Sequence, residues 1–86
     1  MTQKKIIRLK LFALLADAAG CSTTEVTVGR EVDTVAGLLV ELKNRYPALA
    51  DYSGPVLAAR NKQYIALDSE LSDGDELALF PPVSGG

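Results

Sequence analysis

The segment from Thr34 to Tyr46 carries the clearest structural signal in the chain: Val35, Leu38, Leu39, Leu42 and Tyr46 fall at i, i+3, i+4, i+7 and i+11, one apolar stripe on an α-helix. A lone helix with such a stripe gains its stability by packing, so it needs an apolar face to lie on. The rest of the chain offers mainly short alternating runs of the kind that make strands. Asp33 stands where an N-cap is expected, and Pro47 stops the pattern. Gly37 within the helix costs about 1 kcal/mol relative to alanine, which reads as a mark of close packing of the helix on a sheet.

Five further segments supply that sheet. From Ile6 to Leu14, Ile7, Leu9 and Leu11 share one face of a period-two pattern while Arg8 and Lys10 take the other. Leu14 to Ala19 is alanine-rich and closes on Gly20, as expected of a short helix with a left-handed glycine at its end. A second strand over residues 25–28 is dominated by β-branched Val26, Thr27 and Val28. Val56 to Arg60 and Tyr64 to Leu67 read as two short strands around Asn61, and Ser72-Asp73-Gly74-Asp75 is a turn that launches a last strand, Glu76 to Phe80, with Leu77 and Leu79 inward. The simplest way to bury both the helix stripe and the strand faces is an α+β domain, one main helix laid across one face of a mixed sheet of four to five strands.

Composition narrows the function. The chain has 86 residues, one domain's worth, and 48% apolar with 23% charged residues is the balance of a globular domain. Nine Lys and Arg against eleven Asp and Glu give a net charge of -2, which argues against nucleic-acid binding. There is no histidine, and the single Cys21 builds neither a zinc site nor an internal disulfide, so acid/base or metal catalysis by this chain alone is not expected. A lone thiol points to a reducing compartment, and the cytoplasm is the expected location. Arg8 and Lys10 interrupt the apolar start, and the run from Leu11 to Ala16 is six residues long, far below the ~20 that span a membrane.

The segment Phe80-Pro81-Pro82-Val83-Ser84-Gly85-Gly86 fits a packed domain worst. Pro81 has no N–H for a ladder and the two prolines favour an extended exit, which divides the chain into a domain over residues 1–80 and a tail over 81–86. Six extended residues reach about 20 Å. Two glycines without β-carbons would pass a channel too narrow for other residues and deliver a carboxylate to a partner's chemistry. A Gly-Gly ending taken alone is common and carries no such meaning.

In combination the motifs are specific. Leu9-Lys10-Leu11-Phe12-Ala13, the Ala-Gly end of the short helix, Thr34-Val35, Val56-Leu57-Ala58-Ala59 with Asn61, and Leu71-Ser72-Asp73-Gly74-Asp75-Glu76 running into Phe-Pro-Pro and Gly-Gly together resemble the small, sulfur-carrying subunit of molybdopterin synthase, a ubiquitin-like β-grasp family. The resemblance covers essentially the whole chain, and the Phe-Pro-Pro ending separates it from the related thiamine-pathway carriers. It implies a carrier without catalysis of its own. A ubiquitin-activating-like adenylyltransferase would use ATP to adenylate the Gly86 carboxylate, sulfur would displace AMP to leave a thiocarboxylate, and the tail, with Gly85 beside the reacting residue, would enter the large subunit and donate sulfur to a pterin precursor. The same resemblance implies a heterotetramer of two small and two large subunits, no cofactor held by this chain, and a partner contact built from Phe12, Tyr64, Phe80, Pro81, Pro82 and Val83. A ubiquitin-like protein modifier, or a sulfur carrier of another pathway such as thiamine synthesis or tRNA thiolation, would use the same activated terminus.

Three further features carry a functional reading beside a plainer one. Phe12 and Phe80 are out of phase with the inward leucines, which marks a partner surface, although scattered aromatics on a small sheet are ordinary. Asp68, Glu70, Asp73, Asp75 and Glu76 place five acids within nine residues, either a solvated turn or a steering charge beside the tail for a basic partner. Cys21, with no basic neighbour in sequence, reads as an incidental thiol.

Overall fold

The computed structural model describes residues 4–52 and 54–82. In chain order the elements are β1 (Lys4–Leu11), α1 (Leu14–Ala19), β2 (Thr23–Gly29), α2 (Val35–Arg45), α3 (Pro47–Ala50), β3 (Leu57–Arg60), β4 (Gln63–Ile65) and β5 (Glu76–Phe80). The strands form one mixed sheet in the order β2-β1-β5-β3-β4. β1 and β5 run parallel at its centre, with Leu9 beside Leu77 and Leu11 beside Leu79, and every other pairing is antiparallel. The parallel pair requires a long crossover, and α2 lies within it.

The alternation seen in the sequence selects the buried face. Ile7, Leu9, Leu11, Val26, Val28, Ala58, Leu77 and Leu79 from the sheet join Val35, Leu38 and Leu42 of α2, Leu15 of α1 and Leu49 of α3 in one core. No polar or charged residue is buried among the described residues.

Several boundaries differ from the sequence expectation for identifiable reasons. β1 starts earlier and ends at Leu11 because the chain turns at Ala13, whose φ of 54° and ψ of -128° no strand adopts. β2 extends two residues before Glu25 and one beyond Val28 to complete its ladder with β1. Tyr46 precedes a proline and is therefore driven to extended backbone, at φ -122° and ψ 91°. Pro47 does more than end α2: it occupies the first turn of α3, where its missing N–H is no loss.

The N-cap of α2 is Thr34, not Asp33. Thr34 has extended backbone and its hydroxyl accepts from Gly37 N–H at 3.1 Å. The next two free donors of the helix find backbone carbonyls: Val35 N–H donates to Ser69 (3.2 Å) and Ala36 N–H to Leu67 (2.8 Å). Asp33 instead accepts from Leu71 N–H through its carbonyl at 2.7 Å, and its carboxylate lies 3.8 Å from Lys5 Nζ. Gly37 does not mark packing on the sheet either, since an added Cβ would meet Val32 at 3.4 Å and the Thr34 hydroxyl at 3.5 Å. Thr34→Ala is expected to lower stability by about 1 kcal/mol and Asp33→Ala by clearly less, measured by denaturant melts; equal losses would return the cap to Asp33.

The long edge strand β2 is partly closed to further pairing. The Arg45 guanidinium donates to Thr27 O, and Gly29 O accepts from Val32 N–H at 3.1 Å, which removes edge acceptors that another strand would use.

Candidate functional site

The face of the sheet opposite the core divides into two halves. On β1 and its neighbours it carries charge: Arg8 lies 3.5 Å from Glu25, and Lys10 3.5 Å from Glu76. These pairs are solvent-exposed and each contributes little stability. Toward the end of β5 the face becomes apolar. Phe80 is paired in register with Leu57, and Ala78 lies between Lys10 and Ala59, which in turn faces Tyr64.

Three aromatic rings meet there, one from the turn after β1 and two from β4 and β5. Phe12 packs edge-on against Phe80 with ring centroids 6.1 Å apart and planes at 86°, and Tyr64 leans on Phe80 at 5.6 Å and 59°. Phe12 is 48% and Tyr64 72% exposed, while Phe80 is half-buried between them. These rings are outside the core, as the phase of Phe12 and Phe80 in the sequence requires, and form a single cluster. Leu57, 36% exposed, adds to it. Its outward position follows from the β3–β5 register, which sequence alone does not provide.

Pro81 and Pro82 follow directly, and with Phe12, Ala13, Ala78 and Phe80 they line a shallow apolar depression. Ala13 holds a conformation that glycine favours, at a cost on the order of 1–3 kcal/mol. It is held there because Phe12 N–H donates to Leu79 O at 3.2 Å while Phe12 O accepts from Leu15 N–H at 3.1 Å. This turn sets the Phe12 ring over the sheet instead of in the core. Of the predicted site residues, Phe12, Tyr64, Phe80, Pro81 and Pro82 are thus brought together; Val83, Gly85 and Gly86 lie outside the described residues.

Of the acidic run, Glu76 lies on the outer face beside Lys10, whereas Asp73 and Asp75 do not border this patch. β5 starts beside Arg8 and ends with Phe80, so Asp73 and Asp75 stand at the opposite end of the strand, about 17 Å away at 3.3 Å per residue. They also have structural tasks. Asp73 Oδ1 accepts from Ile6 N–H at 2.7 Å, and Asp75 Oδ2 accepts from Ser72 N–H at 2.8 Å and from Arg60 Nη1 at 3.1 Å. Arg60 also donates to Glu70 O at 2.8 Å, which ties the β3–β4 hairpin to the turn before β5. The expectation that the run stands beside the tail is therefore corrected for Asp73 and Asp75, which fasten the turn to β1 and β3. Arg60→Met is expected to cost about 1–3 kcal/mol, because it leaves the Asp75 carboxylate, 17% exposed, with one donor fewer. A thermal melt equal to the parent's would show that the pair is idle.

Among the described residues no three His, Cys, Asp or Glu side chains converge as a metal site, and no helix is long and apolar enough to cross a membrane. Cys21 is half-buried against the core.

Residues 9–86 match the model of the ThiS family. The chain belongs to the ThiS family. Within and around that family it is 38% identical to the molybdopterin synthase sulfur carrier subunit of Escherichia coli, an alignment covering 94% of this chain and 100% of the relative. It is 41% identical to small archaeal modifier protein 1 of Haloferax volcanii, over 90% and 97% of the two chains. A crystal structure of the latter superposes with a TM-score of 0.76 at 38% identity, covering 92% of this chain and 99% of that one. The sheet order and the helix laid over it are thus the ubiquitin-like β-grasp of this ThiS family member, and the E. coli relative is a carrier subunit of a larger enzyme.

Proposed function

We propose that this chain is the sulfur-carrier subunit of molybdopterin synthase and that Gly86 carries the sulfur. The observation that supports it most is the aromatic cluster of Phe12, Tyr64 and Phe80 at the end of β5 from which Pro81 and Pro82 continue, joined to a family match that runs through Gly86. An apolar docking surface and a side-chain-free terminus then act together, the first holding a partner while the second reaches its chemistry.

The chemistry requires no base from this chain. A carboxylate is a poor electrophile because its leaving group would be oxide. The Gly86 carboxylate attacks the α-phosphate of ATP on the adenylating partner, releases pyrophosphate and becomes a mixed anhydride with AMP. A sulfur nucleophile adds to the carbonyl and expels AMP, leaving the thiocarboxylate. Within the large subunit this sulfur is transferred to the pterin precursor and, with water, the carboxylate returns. Gly85, having no side chain, would leave the approach to the partner clear, and Val83 would add its side chain to the partner contact. The assembly in this reading is a heterotetramer of two small and two large subunits, working in the cytoplasm.

The test is a single turnover with purified components. The chain bearing the thiocarboxylate, mixed with the large subunit and precursor, is expected to sulfurate the precursor and return to the carboxylate form; the same chain with a carboxylate is expected to yield nothing. Equal yields from the two forms would contradict the reading. A second reading, a protein modifier whose Gly86 ends in an isopeptide bond to a lysine, is supported by the 41% identity to the archaeal modifier. It predicts conjugates of higher mass in place of a sulfurated precursor.

A further inference from the structure

We propose that Lys62 is a specificity-determining cation of the docking surface, and that the large-subunit surface covering the aromatic cluster presents a carboxylate opposite it. This rests on the reading of the chain as a carrier that docks on a large subunit. Ala59 and Ala78 are neighbours on β3 and β5, and their small side chains leave a trough on the outer face of the sheet. Its sides are formed by Lys10 of β1 and Phe12 just after it, and by Asn61 and Lys62 from the β3–β4 turn, with Glu76 at its margin.

The charges around this trough do not cancel. Glu76 is engaged by Lys10 at 3.5 Å, whereas Lys62 takes part in no ion pair among the described residues. Asp73 and Asp75 are occupied at the far end of β5. The position itself is an expensive one for a lysine: Asn61 and Lys62 have φ of 54° and 67°, a two-residue hairpin turn in which glycine is the ordinary second residue. Lys62 is exposed, so no core packing offsets that conformation.

In the free chain water solvates the ammonium group. Once a partner lies over Phe12, Tyr64 and Phe80, water is displaced from the side of the trough, and an ammonium left there without a counter-charge is penalised. An apolar partner surface with a carboxylate at that point removes the penalty; one with a cation there is rejected. The charge beside the cluster therefore has the sign opposite to that expected from the acidic run, and it selects an acidic group on the covering surface.

Lys62→Gly and Lys62→Glu, each measured against purified large subunit alongside thermal melts, test this. Glycine suits the turn, so the Lys62→Gly melt is expected to equal or exceed the parent's while affinity falls several-fold. Lys62→Glu is expected to weaken binding roughly tenfold or more, with the difference shrinking at high salt. Parent-like affinity in both variants would overturn the inference and leave the carrier reading intact. A parent chain that does not bind the large subunit would contradict the carrier reading and this inference with it.

Discussion

Deleting Gly86 is expected to abolish sulfur transfer and leave the thermal melt essentially unchanged. The core is built from residues between Ile7 and Leu79, so the deletion takes no buried apolar surface away. It removes the carboxylate from its place by one residue, about 3.5 Å, and reactions of this kind fail when the reacting atoms are held even ~1 Å out of line. Adding one residue after Gly86 is expected to have the same effect, because the carboxylate to be adenylated is then an amide. Both variants are assayed for transfer with the adenylating partner, the large subunit and precursor present. Full transfer by the deletion variant would show that the sulfur is carried elsewhere.

Phe80→Ala is expected to weaken large-subunit binding by about 1–3 kcal/mol, roughly 5- to 150-fold in Kd. Phe80 is central to the cluster, in contact with both Phe12 and Tyr64, and its loss leaves both neighbouring rings without their shared support. Phe12→Ala is expected to show a loss of the same kind with a smaller change in stability, since that ring is 48% exposed. Leu77→Ala is the control from the other face of the same strand. Leu77 is fully buried, so truncation is expected to cost about 2–5 kcal/mol of stability while the folded fraction binds as the parent does. If Phe80→Ala behaved like Leu77→Ala, with a collapsed melt and unchanged affinity of the folded fraction, the ring would belong to the core.

What the sequence discloses about this chain depends on whether a feature is local. The stripe of α2 and the inward phase of Leu77 and Leu79 are local periodicities, and all three buried helix positions, Val35, Leu38 and Leu42, follow from them. The turn before β5 is local too, and Gly74 with φ of 86° occupies the position its sequence motif assigns. Thr34 against Asp33 is a choice between adjacent capping residues that depends on which backbone is already extended, and that is set by the loop from residue 66 to 71 docking on the helix start. α3 was hidden because Pro47 stops one helix and starts another. The acidic run shows the opposite failure: Asp73 and Phe80 are close in sequence, yet an extended strand separates them by its full length. Phe12 and Phe80 were legible as outward rings from phase alone, but their contact with each other and with Tyr64 depends on strand order. Leu57 and Lys62 enter the surface only through the β3–β5 register and the hairpin turn.

The central claim is that Gly86 becomes a thiocarboxylate, and intact mass measures it most directly. The purified chain is incubated with the adenylating partner, ATP and a sulfur donor, then weighed whole. Replacement of one oxygen by sulfur is expected to add about 16 Da, to require ATP and to be absent from the Gly86 deletion. An unchanged mass under these conditions, or only higher-mass conjugates formed through the C-terminus, would contradict the account.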